Sequence, residues 1–364
     1  MENKPLRKIV LEDGTQLYGK GFGTNCDKVC ELVFNTSVVG YQEILSDPAY
    51  TDQMVVMTYP LIGNYGIADD DFEAKTPTIG GLIVREYNDS PSNFRYTKTL
   101  SEIMEENRIP GIEGIDTRML TRKIRNEGSC KVLITSADTP LEEALENLAE
   151  HDLDTDLVAR VSCKKKWYSR TNNPVLNVVA IDLGVKLSLI RALNKLGCNV
   201  TVVPYNTDAE AIKAMNPDGI IISSGPGSPE DIPEVLELVK NLIGFVPVLG
   251  IGLGHQLVCM AQGASVTKLA HGHRGGYAVK NLLTGKTELT SQNHSYTVDC
   301  ESLSGTGVEI THINVADNSC EGARNLDKKC FSVQYYPESA PGPQDSMYVL
   351  EDFIAYVRKE KENA

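Results

Sequence analysis

From Val248 to Gln256 the chain reads Val-Leu-Gly-Ile-Gly-Leu-Gly-His-Gln, an apolar run with glycine at every second position from Gly250 to Gly254. This predicts a buried strand that turns abruptly into a helix, because glycine accepts both the dihedrals of so sharp a turn and close backbone approach beside it. Such a turn stands its apex residue, Gly252, above a sheet edge and aims the first helical amides at a developing oxyanion. Gly-rich strand-to-helix turns are common in α/β proteins, so the run sets the fold class before it sets a function.

The surrounding pattern agrees. From Asn177 onward, NVVAIDLG, CNVTVVPY, DGIIISSG and VPVLGI read as strands. Between and after them, KLSLIRALNKLG, DAEAIKAMN, PEVLELVKNLIG and LGHQLVCMAQG read as helices of roughly 9 to 12 residues. That alternation predicts a doubly wound, mainly parallel sheet with its sites at strand C-termini. Residues 6–140 read differently, as mixed β and α. A hairpin is signalled at Asp13-Gly14, followed by strand-like runs ELVFNTSVV, QMVVMTYPLIG and GGLIVREY. SEIMEENRIPGI, DTRMLTRKIRNEG and LEEALENLAEH read as helices. The expected organisation is therefore an N-terminal mixed β/α domain over 1–150, a polar connection over 151–176 and a C-terminal α/β domain over 177–364. Lys164-Lys165-Lys166 in the connection reads as a solvated charge run.

A length of 364 residues fits two domains, and the formal charge of −14 repels phosphate backbones and anionic lipid. Neither nucleic acid nor membrane is an expected partner. The N-terminus MENKPLRKIVLEDG has no apolar signal core, and no stretch reaches the ~20 apolar residues of a membrane span. The nine cysteines form no paired metal motif and read as reduced, partly buried thiols of a cytoplasmic protein.

Further motifs fall around the glycine turn in a fixed order. Ser224-Gly225-Pro226-Gly227-Ser228-Pro229 lies upstream; Gly272-His273-Arg274-Gly275-Gly276, Ser291-Gln292-Asn293-His294 and Val333-Gln334-Tyr335-Tyr336-Pro337-Glu338 lie downstream. They resemble the class I, triad-type glutamine amidotransferases, whose pattern is G-x-C-x-G-x-Q for the nucleophile and H-P-E for the base and its carboxylate partner. In the N-terminal half, FNTS (34–37), GYQEILSDP (40–48), YPLIGNYG (59–66), Pro91-Ser92-Asn93 and GIDTRMLTR (114–122) are similar to the small subunit of carbamoyl phosphate synthetase. SAPGPQDS (339–346) fits it too, and the likeness runs from about residue 6 to 358. The resemblance implies a subunit that hydrolyses glutamine and passes ammonia through a tunnel to a large ATP-using subunit, the expected partner, which makes carbamoyl phosphate from bicarbonate. It implies no metal or cofactor in this chain, ATP and Mg belonging to the large subunit.

The same alignment of motifs exposes losses. The family's Cys falls on Gly252, which has no side chain to form a thioester. Its His falls on Tyr336, whose ordinary pKa near ~10 disqualifies it as a neutral-pH proton shuttle. Glu338 remains, with no imidazole to orient. In the implied glutamine pocket the family's Ser is Ala49, a Gly is Ser295, a Phe is Tyr296, an Asn is Ser224 and an Asp is Ser228. Gly225, Gly227, Leu253, Gln256 and Asn293 match. Cys259, seven residues past Gly252, is offset by ~10 Å along a helix at ~1.5 Å per residue, too far for a nucleophile that must come within ~3.5 Å. It reads as a core thiol.

Three functions follow. The chain is a non-hydrolytic small subunit docked on a large subunit that uses free ammonia; or a regulatory module sensing a small amide or amino acid in the remodelled pocket; or an enzyme of different chemistry built on Tyr336 or Glu338. The first fits the preserved N-terminal motifs, and the third lacks a visible nucleophile–base pair.

Overall fold

The structure, a computed structural model, describes residues 4–363. The chain divides after Asp154 into two compact units.

The N-terminal unit is built on strands β1 (Leu6–Leu11), β2 (Gln16–Gly23), β3 (Lys28–Asn35) and β4 (Gln53–Met57), the two-residue β5 (Leu61–Ile62), β6 (Gly81–Ile83), β7 (Glu86–Tyr87), β8 (Pro110–Glu113) and β9 (Cys130–Ser136). Its helices are α1 (Tyr41–Ser46), α2 (Leu100–Glu106), α3 (Thr117–Glu127) and α4 (Leu141–Glu150). Seven strands close into a barrel in the order β1-β2-β8-β6-β4-β3-β9, while β5 and β7 pair apart from it. Side chains alternate across each strand. Thus Ile9 and Leu11, Leu32 and Phe34, Met54 and Val56, and Val132 and Ile134 meet in one cluster with Leu120 and Ile124 of α3. The intervening Val33, Val55 and Met57 instead join α1 and α2.

The C-terminal unit holds α5 (Leu157–Val161), β10 (Trp167–Ser169), β11 (Leu176–Asp182), α6 (Leu187–Lys195), β12 (Cys198–Pro204), α7 (Ala209–Lys213), β13 (Gly219–Ile222) and α8 (Pro233–Leu242). It continues with β14 (Val248–Ile251), α9 (Leu253–Met260), β15 (Val266–Asn281), β16 (Thr287–Val298), β17 (Glu309–Asn314), β18 (Cys320–Asn325), β19 (Cys330–Val333) and α10 (Tyr348–Asn363). One ten-stranded sheet runs β10-β12-β11-β13-β14-β19-β18-β17-β15-β16. The β12-β11-β13-β14-β19 block is parallel throughout. Its strands are buried on both faces, as a parallel sheet flanked by helices requires. Val178, Ala180 and Ile221 pack with α6 and with Leu350, Phe353, Ile354 and Val357 of α10, spaced i, i+3, i+4, i+7. Val179, Ile181, Ile220 and Ile222 pack with α7, α8 and α9 on the other face.

The parallel half follows the alternation read from the sequence, with α7 only 5 residues long. The sheet extends further than that alternation predicts. Residues 155–176 carry α5 and β10, and β10 pairs antiparallel with β12. Beyond α9, β15 and β16 form a long antiparallel hairpin, and β17 and β18 pair antiparallel. The expected helix over SEIMEENRIPGI ends at Glu106, and Pro110 opens β8 instead.

At the heart of the parallel block two glycines let backbones touch. A Cβ on Gly254 would lie 2.1 Å from the carbonyl oxygen of Ile222, and one on Gly250 would lie 2.4 Å from that of Gly254. These are rigid backbone atoms, so no rotamer change relieves the clash. Gly254→Ala is therefore expected to cost the C-terminal unit about 3 kcal/mol, read as a lower urea midpoint. Gly276→Ala is the control: its Cβ meets only the Leu289 side chain, at 3.7 Å, and a shift within about 0.5 kcal/mol is expected.

Candidate functional site

The turn from β14 into α9 is made by Gly252 alone, at φ 58 and ψ −114. Its amide donates to Val333 O at 2.9 Å, which ties the turn to the end of β19. The neighbouring loop after β13 is pulled in by the same kind of close approach. Gly254 N donates to Ser223 O at 3.2 Å, and Leu183 N donates to Ser223 Oγ at 3.0 Å. A Cβ on Gly225 would lie 2.2 Å from Leu183 O. The sequence thus assembles a tight backbone junction at the C-terminal ends of β13, β14 and β19, where a doubly wound sheet places its sites.

A side chain at 252 would enter narrow space. Its Cβ would stand 3.1 Å from Ser224 Cβ, 3.4 Å from Ser224 Cα and 3.9 Å from Gln334 O. Gln256, one turn into α9, donates from Nε2 to Tyr296 O at 3.0 Å and to Gln334 Oε1 at 3.1 Å. Gln256 Oε1 and Gln334 Nε2, both buried, have no hydrogen-bond partner among the described residues. A stranded acceptor and a stranded donor therefore lie near the turn. Each costs about 1–3 kcal/mol if left unmet.

Tyr336 is 2 % exposed and belongs to the core cluster beneath α6 and α10. Its amide donates to Ser291 O at 2.9 Å. Lys186 Nζ sits 4.0 Å from the centre of its ring. Lys186 is itself fully buried and donates to Ser339 O at 3.1 Å and to Ala340 O. Ser339 and Ala340 have left-handed backbones, at φ 69 and φ 55. So a buried lysine is held between two carbonyls and the phenol ring. Glu338 is buried two residues beyond Tyr336.

The other expected residues fall in three places. Ser295 Oγ accepts from Arg274 Nη2, and Arg274 Nη1 donates to His271 O at 2.9 Å. Arg274, 2 % exposed, is among the largest fully buried side chains of the described residues. Asn293 is buried on β16 opposite Arg274, and half-buried Tyr296 presents its carbonyl to Gln256. Gly227 (φ 84) and Ser228 instead shape the following turn, where Ser228 Oγ accepts from Glu230 N and Asp231 accepts from Ser228 N. Ala49 lies in the N-terminal unit, in the turn Pro48–Tyr50, where its amide donates to Asp47 Oδ1 at 2.9 Å.

Among the described residues, the cysteine and the two histidines near the turn are not placed to supply the missing nucleophile or base. Cys259 is fully buried in a separate apolar cluster, and burial pushes its thiol up to about 12. His255 is fully buried against Ser332 Oγ at 2.8 Å, and burial, then nearby His312, holds it down at about 3. Burial likewise keeps His294 well below the usual histidine range.

His273, His294 and Glu321 bring ligand-type atoms within 4.8 Å of one another in the buried interior. Amide groups already occupy the oxygens: Asn314 Nδ2 donates to Glu321 Oε1 at 3.0 Å and Gln292 Nε2 to Glu321 Oε2 at 2.9 Å. His273 Nε2 meets Asp317 at 2.9 Å. Burial alone would depress His273, but Glu321 and Asp317 outweigh it and raise its pKa. The group acts as a hydrogen-bonded brace across β15, β16, β17 and β18.

Two buried cations matter here whose burial the sequence does not announce. Lys186 shows in the sequence only as a lysine entering the apolar stretch Leu183–Ile190, and Arg274 only as a member of the motif Gly272–Gly276, with no sign that it is buried.

With the geometry set out, relatives are informative. Residues 9–134 match the family described as carbamoyl-phosphate synthase small chain, CPSase domain, and residues 179–356 match glutamine amidotransferase class-I. The chain is 48% identical over 359 residues to the carbamoyl phosphate synthase small chain of Staphylococcus epidermidis, covering 98% of both chains. It is 49% identical to that of Fusobacterium nucleatum, covering 96% of this chain and 97% of the relative. To that of Bacillus cereus it is 49% identical, covering 98% and 97%. At such identity across both folded units, this chain belongs to the carbamoyl phosphate synthase small chain family.

Proposed function

We propose that this small chain no longer hydrolyses glutamine and that it serves a large, ATP-using subunit that draws free ammonia. The observation that carries the reading is the glycine at the apex of the turn. Gly252 keeps the backbone geometry of a nucleophile elbow, φ 58 and ψ −114, with no atom beyond Cα to attack a carboxamide. Tyr336 supports it. A phenol in the place of an imidazole, packed in the core under Lys186, is no proton shuttle at neutral pH. The two readings of the pocket differ in one respect only. Gln256 Oε1 and Gln334 Nε2 favour a cleft that still accepts a small amide, bound and released unchanged; a metabolite-sensing small chain is the second reading.

Assembled with its large subunit, the protein is expected to turn over ATP with ammonium chloride. With glutamine as nitrogen donor, carbamoyl phosphate formation is expected to fall at least about 10³-fold below that rate. Equal rates with the two donors would sink the proposal. Binding of glutamine or a small amide without turnover, read as a rise in melting temperature of the isolated chain, is the outcome that favours the sensing role.

Reversion separates lost chemistry from a lost pocket. Gly252→Cys alone is expected to give an alkylatable thiol and no glutamine hydrolysis. Gly252→Cys with Tyr336→His is expected to release glutamate from glutamine above the background of either single variant. The gain is limited by Ser224, whose Cβ must give by a few tenths of an ångström to admit the new side chain at 3.1 Å. If the double variant shows no gain, the loss extends into the positions of Ala49 and Ser295.

A further inference from the structure

On the face of the sheet opposite α9, α10 leaves a cavity of about 570 Å³ in the C-terminal unit. The helix presents two faces to the sheet. Leu350, Phe353, Ile354 and Val357 pack on the parallel block. The neighbouring face, with Tyr348, Asp352, Ala355, Tyr356 and Lys359 at helical spacing, overhangs the antiparallel strands. Below it, β17 and β18 offer the small side chains of Thr311 and Ala323, and the pairing of the two strands slips on either side of His312. Leu249, Phe331 and Val333 give an apolar floor. Phe331 meets Phe353 and Tyr356 edge-on, with ring centres 6.2 and 4.8 Å apart. The volume falls within the range of about 300–1,000 Å³ that small-molecule sites occupy.

The two ends of the cavity differ chemically. At one end the Tyr348 hydroxyl accepts from Asn281 Nδ2 at 2.9 Å and meets His312 Nε2 at 3.0 Å, while His312 Nδ1 lies 2.9 Å from Thr311 Oγ1. Burial holds His312 down at about 4, so these groups carry no charge at neutral pH. Asp352, one turn along α10 from Tyr348, adds a carboxylate to the rim there. At the other end Arg324 stands opposite Phe331 on the ladder, and Lys359 lies one turn beyond Tyr356. Arg324 gives Nε to Glu309 at 2.7 Å, and its Nη groups make no hydrogen bond among the described residues. Exposed Lys359 makes no ion pair among them. Asp352 and Lys359 are ~10 Å apart along the helix axis, at ~1.5 Å per residue.

We propose that this cavity binds a small amphipathic carboxylate whose aromatic or branched aliphatic body has about ten to fifteen non-hydrogen atoms. The acid group sits at the basic end, where the two Nη groups of Arg324 offer the paired donors a carboxylate accepts and Lys359 adds a second cation. The body lies along Phe331, Phe353 and Tyr356, and its burial displaces water from the apolar floor. Asp352 fixes the orientation, because the reverse pose would bring two carboxylates together. Both cations stand at the mouth, so the acid group keeps part of its hydration and the cost of burying a charge is avoided. The cavity and the turn share a strand: Val333 lines the floor, and its carbonyl accepts from Gly252 N at 2.9 Å. Such a site stands whether or not the turn hydrolyses glutamine.

The test is fluorescence titration of the full chain with anilinonaphthalene sulfonate, an aromatic anion, and with phenylnaphthylamine, its uncharged parent. The expected result is saturable binding of the anion, displaced by phenylbutyrate at a concentration at least about tenfold below that needed of phenylbutanol. Ala355→Trp, at an exposed helix position, fills the mouth and is expected to weaken the anionic probe at least about tenfold. Lys359→Glu is expected to weaken the anionic probe by at least about tenfold and to leave the uncharged one within about twofold. Arg324→Gln reaches the same acid group from β18 and is expected to show the same selective loss, so it decides the matter should a helix variant fail to fold. No saturable binding, anion affinity left within about twofold by Ala355→Trp, or equal loss of both probes in Lys359→Glu and Arg324→Gln would overturn the proposal.

Discussion

The close approach of backbones around Gly250 and Gly254 is the constraint on which the C-terminal unit depends. With carbonyl oxygens 2.4 and 2.1 Å from where Cβ atoms would stand, β14 can run straight into α9 while β13 lies alongside. Every feature of the cleft is referred to that junction. Gly252 N reaches Val333 O, Gly254 N reaches Ser223 O, and Gln256 is placed one turn along α9 to meet Tyr296 and Gln334. The junction asks nothing of side-chain chemistry at position 252. A fold of this kind can therefore lose its reacting atoms and keep its shape.

The groups around the turn satisfy one another. Ser295 is an acceptor for the buried guanidinium of Arg274, which would otherwise keep one fewer partner. Tyr336 supplies an aromatic face to Lys186, an interaction worth about 2 kcal/mol when desolvated. Ser228 caps its own turn. These contacts are internal to the protein and do not require a substrate.

Much of this was legible in the sequence. The glycine turn, the parallel strands with their flanking helices and the barrel's apolar strands are each written in local periodicity, because a strand buried on both faces is apolar throughout and a helix against it repeats at 3.6 residues. The antiparallel half from β15 to β18 was not legible. Its strands are mostly polar, since Gln292, His294, Asn314 and Glu321 are buried by pairing with one another rather than by hydrophobicity. A polar brace has no sequence period. Barrel closure, which joins β1 to β9 across the whole unit, is likewise a property of pairing and not of any segment. The burial of Lys186 and Arg274 stayed hidden for the same reason: a buried cation is recognised by its acceptors, and Lys186 reaches Ser339, 153 residues away, and Arg274 reaches Ser295, 21 away.

On the proposed reading, backbone energetics favour glycine at the turn. A residue other than glycine held at φ 58 and ψ −114 stores strain of order 1–3 kcal/mol. A nucleophile justifies such strain because the turn presents it; a chain that draws ammonia from elsewhere has no use for it. Glycine at 252 removes the strain and the crowding against Ser224 at once, with the junction untouched. Tyr336 acts in the same sense, since burying a phenol ring in the core beneath α10 adds apolar contact that an imidazole, kept polar for proton transfer, would not. On the proposed reading both substitutions stabilise the fold while abolishing the chemistry. The polar groups they leave behind, Gln256 Oε1 and Gln334 Nε2, are then the part of the old pocket that stability alone does not explain.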